Sequence, residues 1–471
     1  MDKNRLKGSI TVFISLTLSF LMMMVICFTM LAVGNAEKMR FEIASDVSFN
    51  SVLGEFSRYL YDRFDLLYID ASYLSSSPGI GNVEHRLMRY MKANTEEILD
   101  KSHSPWGKIN MESCRIESYE AATACDGLNL ANQAIIYVRD SPHTGEIKEE
   151  VEEAATWAPE AGALELSDPM RVFGSYMEAL LGKELPMKKN EKGIMVPVPL
   201  SNPADCVYAL AGSDVLYLAG EGGKTTGVLS IDLSDLISHR GAENTSGTKP
   251  DYGYSEEEYI TYLADKFGCH LNERDEGVLK YGLEYIAIGE DSDFENYRKT
   301  VEKIFKWRFA DNLELAFNDG GLRGAAESVA LELEVCSLDP SFIDPVADTI
   351  VAACAFLETV SDVSAILSGG RVPLRKSSHG MSVESILSGG IYKNGSDEGL
   401  CYRQYVEIMI INLSLEEKIM RAMDLMESET RAATGNGNFR MDWCIEEIKA
   451  NITGHGSGTE EYVTERKYGY F

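Results

Sequence analysis

The chain is poor in positive charge, histidine and proline. It carries 44 Lys and Arg against 74 Asp and Glu, and the net charge of −30 repels phosphate backbones, which excludes nucleic acid as a partner. The seven histidines, His85, His103, His143, His239, His270, His379 and His455, are scattered with no two at metal-ligand spacing. No Gly-x-Ser-x-Gly elbow occurs. No cofactor, metal or catalytic residue is therefore assigned, and the chain reads as non-enzymatic. Nine cysteines are too few for a scaffold built on disulfides. Cys27 lies in an apolar run; among the other eight, Cys114 and Cys125 flank one short segment and form the candidate disulfide. No proline precedes Pro78, so nothing in that stretch forbids a long helix.

What the chain does have is an uncharged run. Ser9–Val33, SITVFISLTLSFLMMMVICFTMLAV, is 25 residues without a charge, proline or glycine. As a helix it would be roughly 37 Å long, enough to cross a ~30 Å hydrocarbon core. Its only polar side chains are Ser and Thr hydroxyls, which can bond their own helix carbonyls. The expected partner is a lipid bilayer. Lys3, Arg5 and Lys7 stand against Asp2 before the run, and mixed charges follow it, so the N-terminus is expected in the cytoplasm and the C-terminal region outside. A cleavable signal is the rival, with small residues at Gly34-Asn35-Ala36, but the run exceeds the usual length of a signal's apolar region.

Beyond the run, Phe49, Val52, Leu53, Phe56, Leu60 and Phe64 fall on one helical stripe, and Lys38/Glu42 and Arg58/Asp62 are opposite charges four apart. The spacing predicts one helix from the bilayer to about Phe64. The opening Lys7-Gly8-Ser9-Ile10-Thr11-Val12-Phe13 resembles the start of the pilin-like TadE/TadG proteins of tight-adherence (Tad/Flp) pilus systems. That resemblance implies processing between Gly8 and Ser9 and partners among other pilin-like or envelope proteins. The glutamate those proteins carry five residues after the processing site is missing; Phe13 occupies the region and no glutamate follows it. The chain also resembles an uncharacterised domain family (family 5702) of clostridial-type Gram-positive bacteria, often found beside such pilus genes. The likeness rests on Gly8–Phe13, on Glu55–Leu60 leading into Phe64–Leu67, on Leu283–Ile286, on Arg371–Leu374 and on Met423–Met426. It implies a location and a neighbourhood, not a reaction.

The remainder reads as a mixture of helices and strands. Asp65–Tyr73, a strand pair within Lys108–Thr123, Val207–Leu218 with Gly227–Leu233, and Gly282–Gly289 are predicted strands. Helices are predicted over Asn82–Leu99, from Leu128, and over Tyr402–Ile411. Further helices should follow capping boxes at Ser255, Ser292 and Ser414. Gly223-Lys224-Thr225 is not a phosphate loop, because Leu218 stands where that loop needs glycine. Asp291–Glu295 reads as a helix start and not as a calcium loop. Val346–Leu367 contains Asp348, Glu358 and Asp362, each costly at mid-bilayer, and reads as a buried soluble helix. The tail after Ala432, rich in glycine, reads as partly ordered.

The expected fold is α+β and helix-rich. It would comprise a basic segment at 1–8, a transmembrane helix at 9–33, a helical stalk at 34–70, α+β regions at 71–200 and 201–400, and a helical hairpin with flexible tail at 401–471. The expected function is that of a membrane-anchored extracytoplasmic protein, an accessory or scaffold component of a tight-adherence-type pilus or cell-envelope assembly. An anchored envelope hydrolase, or a binding protein released by signal cleavage, are the alternatives.

Overall fold

The computed structural model of the chain describes residues 3–97, 109–140, 151, 155–157, 169–220, 227–247, 253–274, 277–388, 398–456 and 461–470. Its contacts divide it into two compact units. The first joins Met1–Gln133, Ala242–Gly253 and Thr430–Phe471; the second joins Ala134–Gly241 and Tyr254–Glu429. Both units cut across the contiguous regions read from the sequence. The fold is helix-rich, with one four-stranded and one two-stranded sheet among the described residues, an α+β architecture. Most of the acidic run 146–153 and all of the Gly223-Lys224-Thr225 turn lie outside the described residues.

The first unit opens with α1, Lys3–Leu53, which stops at Gly54, so the single helix expected to reach Phe64 is two. The second of these, α2, is Arg58–Phe64. The predicted strand at 65–73 shrinks to β1, Ile69–Asp70. Next come α3, Ile80–Lys92, burying Val83, Leu87 and Met91 at a spacing of four, and β2, Asn110–Ala121, one long strand where a pair was expected. The largest difference lies in the tail. Cys444–His455 is β3, the central strand of the sheet, and Glu461–Gly469 is β4. β2 runs antiparallel along one side of β3, with Cys114 opposite Ile452. β4 runs antiparallel along the other, with Glu447 opposite Gly469, and β1 pairs at the start of β3. Ile448, Ala450 and Ile452 alternate inward from β3 and meet Phe41, Phe49, Val52, Val83, Leu87 and Met91, so a layer of α1 and α3 covers one face of the sheet.

The second unit is helical. Leu128–Asp140 (α4) bridges its boundary with the first. Its principal helices are α5 Glu256–Lys266, α6 Gly282–Ile288, α7 Asp293–Asn318, α8 Gly320–Glu332, α9 Ile343–Leu367, α10 Tyr402–Ile411 and α11 Leu415–Thr434. The capping serines act as expected. The hydroxyls of Ser255, Ser292 and Ser414 accept from the backbone N–H of Glu258, Glu295 and Glu417. Three predicted strands are helical or irregular. Gly282–Gly289 is α6, closed by Gly289 at φ 88°. Val207–Leu218 lies in two short helices, Asp205–Ala211 and Val215–Leu218, and Gly227–Leu233 contributes a single bridge, Ser230 to Ser292. The core is built on α9, packed by α7 and α8.

Candidate functional site

α1 passes through two environments. Between Ile10 and Leu31 its large apolar side chains are 44 to 70% exposed, far beyond the apolar patch an ordinary soluble surface presents. The hydroxyls of this stretch bond the helix itself: Ser15 donates to the Val12 carbonyl (2.9 Å), Thr17 to Phe13 (3.0 Å) and Thr29 to Val25. The backbone is satisfied internally as well, which is what a hydrocarbon surrounding demands. Gly8 and Ser9 lie within the backbone of the same helix.

From Glu37 onward one face of α1 is buried, through Phe41, Ala44, Ser45, Ser48, Phe49 and Val52. That face is dressed by β4. The Tyr462 hydroxyl lies 3.2 Å from a Glu37 carboxylate oxygen, and its ring centroid is 6.0 Å from that of Phe41. Arg466 Nε donates to Asp46 (3.0 Å), as does the Tyr468 hydroxyl (2.9 Å), whose ring stacks on Phe49 at 5.1 Å. The hydroxyl of Tyr470, just past β4, donates to the Leu53 carbonyl (2.6 Å). All four are even-numbered, because alternate strand residues share a face. Helix and strand run in the same direction. From 37 to 53 the helix advances about 24 Å, and from 462 to 470 the strand advances about 26 Å, so the contacts stay in step along the whole length. At Gly456 a Cβ would run into the Glu37 carboxylate and the Tyr462 ring, so a bare backbone is required there. The signal for β4 was in the sequence, as the alternation Tyr462, Thr464, Arg466, Tyr468, Tyr470, but the glycines around it masked the strand.

Cys114 and Cys125 do not come together. From Cys114 to Ala121 the chain is a strand, which at about 3.3 Å per residue carries it roughly 23 Å away. The four residues to Cys125 recover at most about 14 Å, while a disulfide needs Cα atoms within about 7 Å. Burial also pushes the Cys114 thiol up to about 12, away from the thiolate that exchange requires.

The second unit holds two buried polar clusters. In one, Glu284 on α6 is fully buried and one of its oxygens accepts from the His270 backbone N–H (2.7 Å) and the Tyr402 hydroxyl (2.8 Å). Burial pushes its carboxyl up to about 7. The His270 ring stacks on Tyr297 at 4.1 Å and meets Tyr281 edge-on at 5.3 Å. One residue along, Tyr285 donates to Asp424 (2.8 Å), whose carboxyl burial also raises. In the other, Arg308 pairs with Asp311 (2.9 Å) and Asp362 (3.0 Å) and donates to the carbonyls of Pro373 and Leu374, while Lys376 pairs with Glu358 (2.7 Å) and Asp362 (2.6 Å). These contacts fasten residues 371–376 to α7 and α9. Outside these clusters, Ser238 Oγ lies 3.0 Å from His239 Nδ1, yet Asp424 accepts from the Ser238 N–H, and a nucleophile–base–carboxylate relay is not assembled at this contact. Among the described residues no group of three or more His, Cys, Asp or Glu is placed to hold a metal ion.

A model for a family of unknown function, DUF5702, matches residues 196–456, more than half of the chain. The chain belongs to that family. The DUF5702 match takes in β3 and the second unit from residue 196 onward, and α1 lies before it. Three of the segments quoted above fall within it. Leu283–Ile286 and Met423–Met426 meet through Tyr285 and Asp424. Arg371–Leu374 is the segment that Arg308 and the Tyr405 hydroxyl hold by its carbonyls. No curated protein and no solved structure matches the chain.

Proposed function

We propose that this DUF5702 protein is a single-pass membrane protein whose α1 crosses the bilayer and carries both units on the extracytoplasmic side. The observation that carries this reading is the continuity of α1, exposed and apolar over Ile10–Leu31 and packed against the sheet from Glu37 to Leu53. Within the apolar stretch the 18-residue window of highest hydropathy is 0% buried. Lys3, Arg5 and Lys7 support a cytoplasmic N-terminus. On this reading the protein is a non-enzymatic accessory or scaffold component of a cell-envelope assembly, of the tight-adherence pilus type that the Gly8–Phe13 opening suggests. The stepwise contact of β4 with α1 supports a static strut, since the anchor is fixed to the domain over four turns of helix.

Extraction of membranes at alkaline pH tests the anchor. The full chain is expected to stay in the pellet, and a chain lacking residues 9–33 to appear in the supernatant. Release of the full chain would sink the reading.

A further inference from the structure

We infer that α1 carries a pairing face for a second copy of this chain, on the side opposite its buried residues and flanked by Asp46, which β4 holds through Arg466 and Tyr468. Beyond the apolar span, where the helix has left the stretch that lipid can cover, Met39 is 63%, Ile43 50% and Val47 45% exposed. These three continue a ridge that starts in the span: Ala32, Ala36, Met39, Ile43, Val47 and Asn50 are all exposed. Their spacings of four, three, four, four and three residues follow the 3.6-residue period of a straight helix. The ridge therefore stays within roughly 80° of arc over about 27 Å. The buried residues Phe41, Ala44, Ser48 and Val52 fall on the far side of the same helix.

The occupant is constrained by where the ridge lies. Val47 stands about 21 Å past Val33 along the axis, out of reach of the bilayer that covers Ala32. Whatever covers the whole ridge must leave the membrane on the same side and continue as a straight helix with an apolar face. A parallel second copy of α1 does so, and a twofold axis along the membrane normal sets each ridge residue against its own counterpart. Ala32 and Ala36, four apart, allow close approach where the helices leave the lipid. Ile43 meets Ile43, and the two Asn50 amides, each donor and acceptor, close the far end and fix the register. Lys38 is exposed on the same stretch but lies off the ridge.

This inference rests on the anchored reading, and the test separates the two. In the full-length chain in its membranes, with the exposed Cys27 and Cys206 replaced by Ser and the other seven native cysteines kept as a common background, one further cysteine is placed by Ile43→Cys or Lys38→Cys and oxidised with copper phenanthroline, the parent with neither setting the blank. Ile43→Cys is expected to give at least fivefold more covalent dimer than Lys38→Cys. Equal yields, no dimer, or a product joined to a different polypeptide would overturn the pairing. The same membranes are extracted at alkaline pH. Retention with no dimer overturns pairing alone, whereas release overturns the anchor and the pairing together. As a second readout, the chain in nanodiscs should have twice the protomer mass by mass photometry and fall to one protomer with Ile43→Asp; an unchanged mass would contradict the proposal.

Discussion

Among the described residues two helices are long and apolar enough to cross a membrane, α1 and α9, and they have opposite fates. The best window of α1 is 0% buried, and that of the segment containing α9 is 94% buried. What separates them is charge. α9 carries Asp362 and Glu358, engaged by the buried Arg308 and the half-buried Lys376, and a carboxylate with a partner waiting in the same unit is a core residue. The only polar groups in the apolar stretch of α1 are hydroxyls, and those of Ser15, Thr17 and Thr29 fold back on their own helix. Mean hydropathy cannot make this distinction; the few ionisable side chains can.

The comparison can be broken from either side. The largest effect is expected from deleting residues 9–33, which should move the protein wholly from the membrane fraction to the soluble one, with the sheet signal in circular dichroism retained. Next is Arg308→Met, which leaves Asp311 and Asp362 buried with one cation fewer. It should cost about 3–5 kcal/mol in urea unfolding, while leaving membrane retention untouched. Phe49→Ala, at the foot of α1, removes a buried ring stacked on Tyr468 and should cost a similar 3–5 kcal/mol, placing the lower half of α1 with the core helices.

A smaller effect concerns pH. Glu284 is held near 7 by burial, against an ordinary 4.5. Below 4.5 folded and unfolded chains both hold its proton; between 4.5 and about 7 only the folded chain does. Its contribution to stability should therefore fall as pH rises through that window, by about 1.4 kcal/mol per unit at the steepest, and level off above it. Glu284→Gln, which keeps an acceptor for Tyr402, should flatten this slope in urea titrations run from pH 4.5 to 8. Smallest of all, Thr17→Ala on the exposed half of α1 should change neither stability nor retention, with unfolding within about 0.5 kcal/mol of the parent.

Much of the helical architecture was legible in the chain. Capping serines at 255, 292 and 414 marked helix starts, the four-residue spacing of Val83, Leu87 and Met91 marked α3, and the charges of α9 marked a core helix. The misreadings have physical causes. GLEYIAIG is a short apolar run, and such a run does not distinguish a buried strand from a buried helix; here Glu284 and Tyr285 find Tyr402 and Asp424 only because α6 turns them to different partners. β3 has a local signal, the alternation of Ile448, Ala450 and Ile452 with β4 following close behind, which the glycines of the tail obscured; its pairing with β2, more than 300 residues earlier in the chain, is one that no local pattern announces. The root of α1 was hidden for the same reason, since β4 comes from the other end of the sequence.

The account stands most directly on the side of the membrane that the units occupy. Cys206 is exposed in the second unit, and a membrane-impermeant maleimide applied to intact cells of a Cys27→Ser chain reads its position, with Cys206→Ser as the blank. Labelling before lysis, lost in the blank, is the predicted result. Labelling that appears only after lysis would place the units in the cytoplasm and contradict the account.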